Sequence, residues 1–168
     1  MPVAWEIFTD WRLQPRTNQT TFADVYSDLV LKPRSWLTLE SEIRFDVSGK
    51  EFRLSRSSLS LHPTDRWSWS LGHYYIRSNP TNSAGLGNNL ITSVFSYRIN
   101  ENWSTRMAQH FETRDGQMEE QYYSLFRDFR SWTGALTFRV RGNRTGEDDY
   151  TVAFTFSLKA NPKRDLGD

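Results

Sequence analysis

Apolar and polar residues alternate along most of this chain with a period of two. The last hairpin shows it best. From Trp132 to Arg141, Gly134, Leu136, Phe138 and Val140 share one parity, and Thr133, Ala135, Thr137, Arg139 and Arg141 share the other. After a polar loop the return strand sets Tyr150, Val152, Phe154, Phe156 and Leu158 against Thr151, Ala153, Thr155, Ser157 and Lys159. Such alternation marks a strand with one apolar and one polar face. Length matters too: about ten residues, tilted near 40°, span roughly 25 Å, the height of the apolar band of an outer-membrane barrel.

Read the same way, the chain predicts ten strands and no helix: residues 3–13, 20–31, 36–47, 51–62, 67–77, 89–99, 103–113, 117–126, 132–141 and 150–159. Residues 36–47 alternate most cleanly, with Leu37, Leu39, Ile43, Phe45 and Val47 against Glu40, Glu42, Arg44 and Asp46. Residues 51–62 change parity: Phe52 and Leu54 lie on one side, Leu59 and Leu61 on the other. That predicts a bulge near Ser57. Ser48-Gly49-Lys50 and Arg114-Asp115-Gly116 read as tight turns, Gly49 supplying the positive φ in the first. Short links between consecutive strands imply antiparallel up-and-down pairing, an all-β meander of about ten long strands.

A compact turn ending in Trp recurs along the chain, at Trp36, Trp67, Trp103 and Trp132, and Trp5 fits as the first of the series. The turns themselves are Lys32-Pro33-Arg34-Ser35, His62-Pro63-Thr64-Asp65-Arg66, Asn100-Glu101-Asn102 and Asp128-Phe129-Arg130-Ser131. The steps between Trp residues are 31, 31, 36 and 29, each holding two strands and one opposite loop. A solenoid also has such a period, but its repeats carry helices or very short strands. Loops on the other side include longer ones, at residues 78–88 and 142–149. Membrane barrels show this asymmetry, with short turns on the periplasmic side. With a periplasmic C-terminus, the five Trp residues form an interfacial aromatic belt, where an apolar ring and an N–H donor are both satisfied.

Composition narrows the class. The chain of 168 residues suits one domain. Mean hydropathy is negative and no run approaches the roughly 18 apolar residues of a membrane helix. Barrel strands are half polar, so both facts are compatible with a transmembrane β-barrel or a part of one. A net charge of +1 gives no pull on nucleic acid, and without cysteine there is no thiol chemistry. No signal peptide precedes Trp5, which an outer-membrane protein needs; the expectation is a mature chain or a native start other than Met1. A soluble lipid-binding barrel also alternates, with its apolar face inward, and alternation alone does not separate the two.

Chemistry is sparse. His62, His73 and His110 have no partner at metal-ligand spacing, and His62 falls in a turn. Asp148-Asp149 and His110 lie toward the long-loop rim, where ten-stranded outer-membrane proteases place their catalytic groups; the loops leave little material for a cleft. That self-contained barrel, protease-like or a small porin, stays as an alternative. Glu40, Glu42, Arg44, Asp46, Arg98, Arg106, Glu112 and Arg139 fall on the polar faces. In a barrel they line the lumen and pair across strands. No cofactor or metal is expected.

The stretch Glu120-Gln121-Tyr122-Tyr123-Ser124-Leu125-Phe126-Arg127-Asp128, then Ser131-Trp132 and residues 150–158, resembles the C-terminal barrel of the lipopolysaccharide-assembly protein family LptD. The hairpin starts at Pro33 to Leu37 and Asn100 to Ser104 are similar to that family as well. The resemblance implies a barrel of about 26 strands, plugged by a lipoprotein partner, whose first and last strands form a gate for lipopolysaccharide. Residues 1–160 are then the C-terminal part of such a barrel, and residues 161–168 a polar periplasmic tail. Tyr150, Phe154, Phe156 and Leu158 match the family's C-terminal signal for the barrel-assembly machinery, on the strand that forms one lip of the gate. The implied function is transport and insertion of lipopolysaccharide into the outer leaflet, without enzymatic chemistry. Members carry a Cys pair just before the Trp equivalent to Trp132. Arg130 and Ser131 stand there in this chain, so that disulfide has no counterpart.

Overall fold

The computed structural model describes residues 3–14, 21–77, 88–143 and 146–159, apart from the Ala23 side chain. The expected loop at 15–19, the loop at 78–88 except for Asn88, which opens a strand, and the tail at 161–168 lie outside the described residues. Ten strands form, with no helix among the described residues: β1 Val3–Trp11, β2 Phe22–Arg34, β3 Leu37–Asp46, β4 Glu51–Thr64, β5 Trp67–Ile76, β6 Asn88–Arg98, β7 Trp103–Glu112, β8 Gln117–Asp128, β9 Trp132–Arg141 and β10 Asp149–Leu158. They make one antiparallel sheet in chain order, and the sheet is not closed. The predicted meander is what forms.

Contacts divide the chain into two compact units, Met1–Leu61 with Leu71–Ile91, and His62–Ser70 with Thr92–Asp168. In the first, the β2–β3–β4 register aligns Leu31, Leu39 and Leu59, and then Val25, Phe45 and Phe52, on one face. The opposite face carries Asp28, Glu42 and Arg56 in one row. In the second, Met107, Tyr123, Phe138 and Val152 share a row of the apolar face. Paired residues of antiparallel strands project to the same side, so the register turns sequence alternation into two chemically distinct faces.

Three local expectations are corrected. The β4 bulge lies at Arg53, not near Ser57: Arg44 pairs with Leu54 and Phe45 with Phe52, leaving Arg53 as the extra residue. Leu54 therefore projects with Arg44 on the polar face. The positive φ in the first tight turn belongs to Lys50 (φ 52°), not Gly49. His62 lies in β4 rather than in a turn, because the link to β5 is only Asp65-Arg66 and the ladder runs almost to it. Pro33 likewise lies inside β2. It brings no N–H, and the β2–β3 register slips there, between Leu31 and Arg34.

The other predicted turns form. The Asn100 side chain closes its turn by accepting from the backbone N–H of Asn102 and Trp103, each at 2.9 Å. The next turn closes through Phe129 N–H donating to the Trp132 carbonyl at 2.9 Å.

Candidate functional site: a charged face and an edge strand

In the first unit the charged face is organised around two carboxylates. Asp24, third in β2, stands opposite Asp46, the last residue of β3. They are 4% and 8% exposed. Two like charges this close and this dry need cations. Arg44 donates through Nε to Asp24. Arg53 reaches both carboxylates, at 3.3 Å to Asp24 and 2.8 Å to Asp46. The bulge gives Arg53 this reach, since it is the unpaired residue of β4. Asp46 also accepts from the Ser48 and Gly49 N–H groups at 2.9 and 3.1 Å, fastening the turn to the network. Tyr26 lies below the Arg44 guanidinium, 5.0 Å from ring centre to Cζ, and stacks on Phe8 at 4.8 Å. Toward the other strand ends Glu42 sits between Asp28 and Arg56, and Glu40 accepts from Ser58 Oγ at 3.4 Å.

The second unit solves the same problem with other residues. Glu120 of β8 ion-pairs with Arg139, opposite Tyr122 on β9, with Arg141 at 3.8 Å and with His110 at 3.8 Å when that ring is protonated. The Tyr122 hydroxyl donates to Glu120 at 2.7 Å, and Arg139 lies over the Tyr122 ring at 5.5 Å. Glu112 is 3% exposed and accepts from Arg114 N–H at 3.1 Å. Arg106 stands opposite Ser124, on the face that carries Glu112 and Arg139. Arg98 and Arg106 both line a concavity of about 410 Å³. Of the proposed protease groups, Asp149 faces Arg141 across the ladder, and Asp148 accepts from Asn143 N–H at 3.3 Å.

Within each unit, then, the register puts seven of the eight charged residues singled out in sequence on the polar face, all but Arg98. Sequence reasoning missed Asp24, Arg53, Glu120, Tyr122 and Arg141 as members of the networks. Asp24 and Glu120 were on polar parities and legible. Arg53 was not, because a bulge residue has no parity of its own.

The Trp residues take three positions. Trp67, Trp103 and Trp132 open their strands, Trp36 lies in the β2–β3 turn, and Trp5 is third in β1, opposite Leu29. Trp5 donates to Ser27 Oγ at 3.0 Å. Trp132 lies across Gly134, stacked on Phe129 at 3.7 Å and touching Phe156 at 5.2 Å. The Arg127 guanidinium covers Trp103 and Phe129, at 5.0 and 4.8 Å. Aromatic rings and an amphipathic arginine gather here at one end of the apolar face.

β10 is an edge strand, and its outer side has no strand partner among the described residues. Tyr150, Phe154, Phe156 and Leu158 pair with Val140, Leu136, Gly134 and Trp132 on the apolar face. All four are exposed, Tyr150 and Phe154 by two thirds. Lys159 ties the end of this strand down by an ion pair with Asp128 at 2.8 Å and a backbone bond to Ser131.

An all-β meander that displays its large apolar side chains is consistent with a barrel-like fold, although this sheet is not closed. The family model LptD, "LPS transport system D", matches residues 7–103, more than half of the chain. The chain belongs to that family. Comparison with curated proteins gives no match. Membership associates the chain with lipopolysaccharide transport and with the outer membrane, in a family of transport and assembly proteins rather than enzymes. The matched segment holds the hairpin start at Pro33 to Leu37. The final hairpins, residues 120–158, which carry most of the sequence resemblance, lie beyond it.

Proposed function

We propose that this chain is a segment of an integral outer-membrane β-barrel that passes lipopolysaccharide into the outer leaflet. One observation carries this reading. Among the described residues Ala108 is the one buried hydrophobic, while Trp5, Ile7, Phe52, Val152, Phe154 and many other large apolar side chains are exposed. A soluble sheet buries its apolar face against a second layer. Here lipid is the solvent that suits that face. The charged face then lines the lumen, where Glu40, Glu42, Arg44, Arg106 and Arg139 meet water and the sugars and phosphates of the cargo, with the almost buried Asp46 and Glu112 at its strand ends. Trp5, Trp36, Trp67, Trp103 and Trp132 form the periplasmic belt.

β10 is one lip of the gate, and Tyr150, Phe154, Phe156 and Leu158 are the signal read by the barrel-assembly machinery. An unpaired strand edge is costly in lipid, so both β1 and β10 need further strands or each other. A plug lipoprotein is the partner for the lumen.

The test is the fate of the native product. An antibody to residues 161–168 is used to blot fractionated membranes of the source cells. The expected band lies in the outer membrane and runs well above 19.8 kDa, as one end of a large barrel. A band near 19.8 kDa in that membrane supports a self-contained small barrel instead. A band in the soluble fraction overturns the membrane reading.

A further inference from the structure

The apolar face of the first unit is not flat. Successive rows across β2, β3 and β4 read Leu31-Leu39-Leu59, then Leu29-Ser41-Ser57, then Ser27-Ile43-Ser55. Leucines beside serines leave a trough of about 410 Å³, walled by Leu29, Leu31, Leu39, Leu59, Leu71 and Ile91. On the floor the Ser41 and Ser57 hydroxyls bond each other at 3.2 Å. An apolar occupant lying on it therefore covers one O–H donor of the pair rather than two.

One end of the trough is polar. His73 lines both the trough and a second concavity of about 520 Å³, bounded by Ile43, Phe52, Ser55, Tyr75 and the turn residues Lys50 and Glu51. His73 Nε2 and Asn89 Oδ1 are 2.8 Å apart. Arg77 neutralises Glu51 at 3.0 Å, which leaves the Lys50 ammonium as the net charge of this rim. An imidazole and an amide on a face otherwise made for lipid are expensive, and such groups mark binding sites. The sequence apolar trough, hydrogen-bonding pair, cation is complementary to a lipid running from acyl chain through its polar linkage to a phosphate.

We infer that this trough is a binding site for one acyl chain of a phosphorylated, multiply acylated glycolipid, the chemistry of lipopolysaccharide, with the phosphate at Lys50 and the linkage beside His73 and Asn89. The site rests on the reading that the apolar face meets lipid. It adds a stopping place for the cargo on the outside of the sheet, away from the edge strands. A cavity of this size is within the range that holds small ligands.

Two measurements on the full chain test it. Flotation with liposomes asks whether the chain enters lipid at all. Native mass spectrometry in micelles then measures retention of purified rough lipopolysaccharide, with phosphatidylglycerol as competitor. Lys50→Glu, on an exposed turn, is expected to weaken lipopolysaccharide retention about fivefold or more. Ser57→Phe, which fills the trough, abolishes it, while Met107→Phe on the apolar face of the second unit leaves it unchanged. A chain that floats but retains lipopolysaccharide equally in all variants, or prefers phosphatidylglycerol, overturns this site and leaves the membrane reading standing. A chain that does not float overturns both.

Discussion

The β3–β4 and β7–β8 hairpins are built on one frame and charged in two ways. Each turn has four residues, 47–50 and 113–116. Each first strand ends in an almost buried carboxylate, Asp46 or Glu112. Each return strand bulges three residues after the turn, at Arg53 or Glu119. In both the bulge carbonyl accepts a backbone bond from just beyond the end of the next strand, Arg77 N–H at 3.0 Å and Gly142 N–H at 2.8 Å. The frame is thus set by turn length and by the apolar register. The charges are not copied with it. In β3–β4 the bulge residue is itself the cation between two carboxylates. In β7–β8 the bulge residue is acidic, and the cations come from β9. A polar face can exchange its charges while keeping its backbone.

The largest expected effect separates the two strands that receive the bulge. A Cβ on Gly142 would overlap the Met118 carbonyl oxygen, a backbone atom that cannot swing aside. Gly142→Ala should cost about 3 kcal/mol by forcing β9 away from the β8 bulge. At the corresponding position β5 already accepts an arginine, so Arg77→Ala should cost no more than about 0.5 kcal/mol, the loss of an exposed ion pair. Urea unfolding of the full chain in micelles, followed by Trp fluorescence, gives both values. Equal costs would break the comparison, since the two bulges would then be received alike.

Next comes the charge at each hairpin. Asp46→Asn keeps an acceptor for Ser48 and Gly49 but leaves Arg53 facing one carboxylate instead of two. A loss of about 2 kcal/mol is expected. Glu120→Gln should cost about 1 kcal/mol, because the Glu120 side chain is 22% exposed against 11% for Asp46 and water screens its pairs. The same unfolding curves decide it, and the reverse order would mean that cation number matters more than burial.

These networks also show where sequence reading stops. β3 was legible almost to the residue, because every second position except Ser41 is apolar and the strand runs without interruption from Leu37 to Asp46. β2 and β4 run past their predicted ends, since Pro33 and Pro63 look like turn residues. At the last rung before a two-residue link, a proline forfeits only one donor. The change of parity in β4 correctly signalled a bulge. Its position was hidden because Ser55 and Ser57 suit either face, and Leu54 points to the polar side. The Arg53 ion pair spans 29 residues. No local pattern joins Arg53 to Asp24; only the register does.

The smallest effect concerns the turns, and its sign should invert between them. Lys50 and Gly116 occupy equivalent last positions, both left-handed, with φ of 52° and 65°. Nothing lies within 4 Å of a Cβ placed on Gly116, so a side chain there meets backbone strain and no clash. In the left-handed region an L side chain costs about 1 kcal/mol relative to glycine. Glycine gives some of that back through the greater freedom of the unfolded chain. Lys50→Gly should therefore stabilise the first hairpin by about 0.5 kcal/mol, and Gly116→Lys should destabilise the second by about the same amount. Lys50→Gly also removes the cation at the rim of the trough, so retention of lipopolysaccharide should fall as stability rises. Two midpoints that move in opposite directions would show that the frame is shared down to a single dihedral angle. If both substitutions destabilise, the Lys50 side chain holds its turn through contacts that outweigh its backbone strain, and the two turns are alike in outline only.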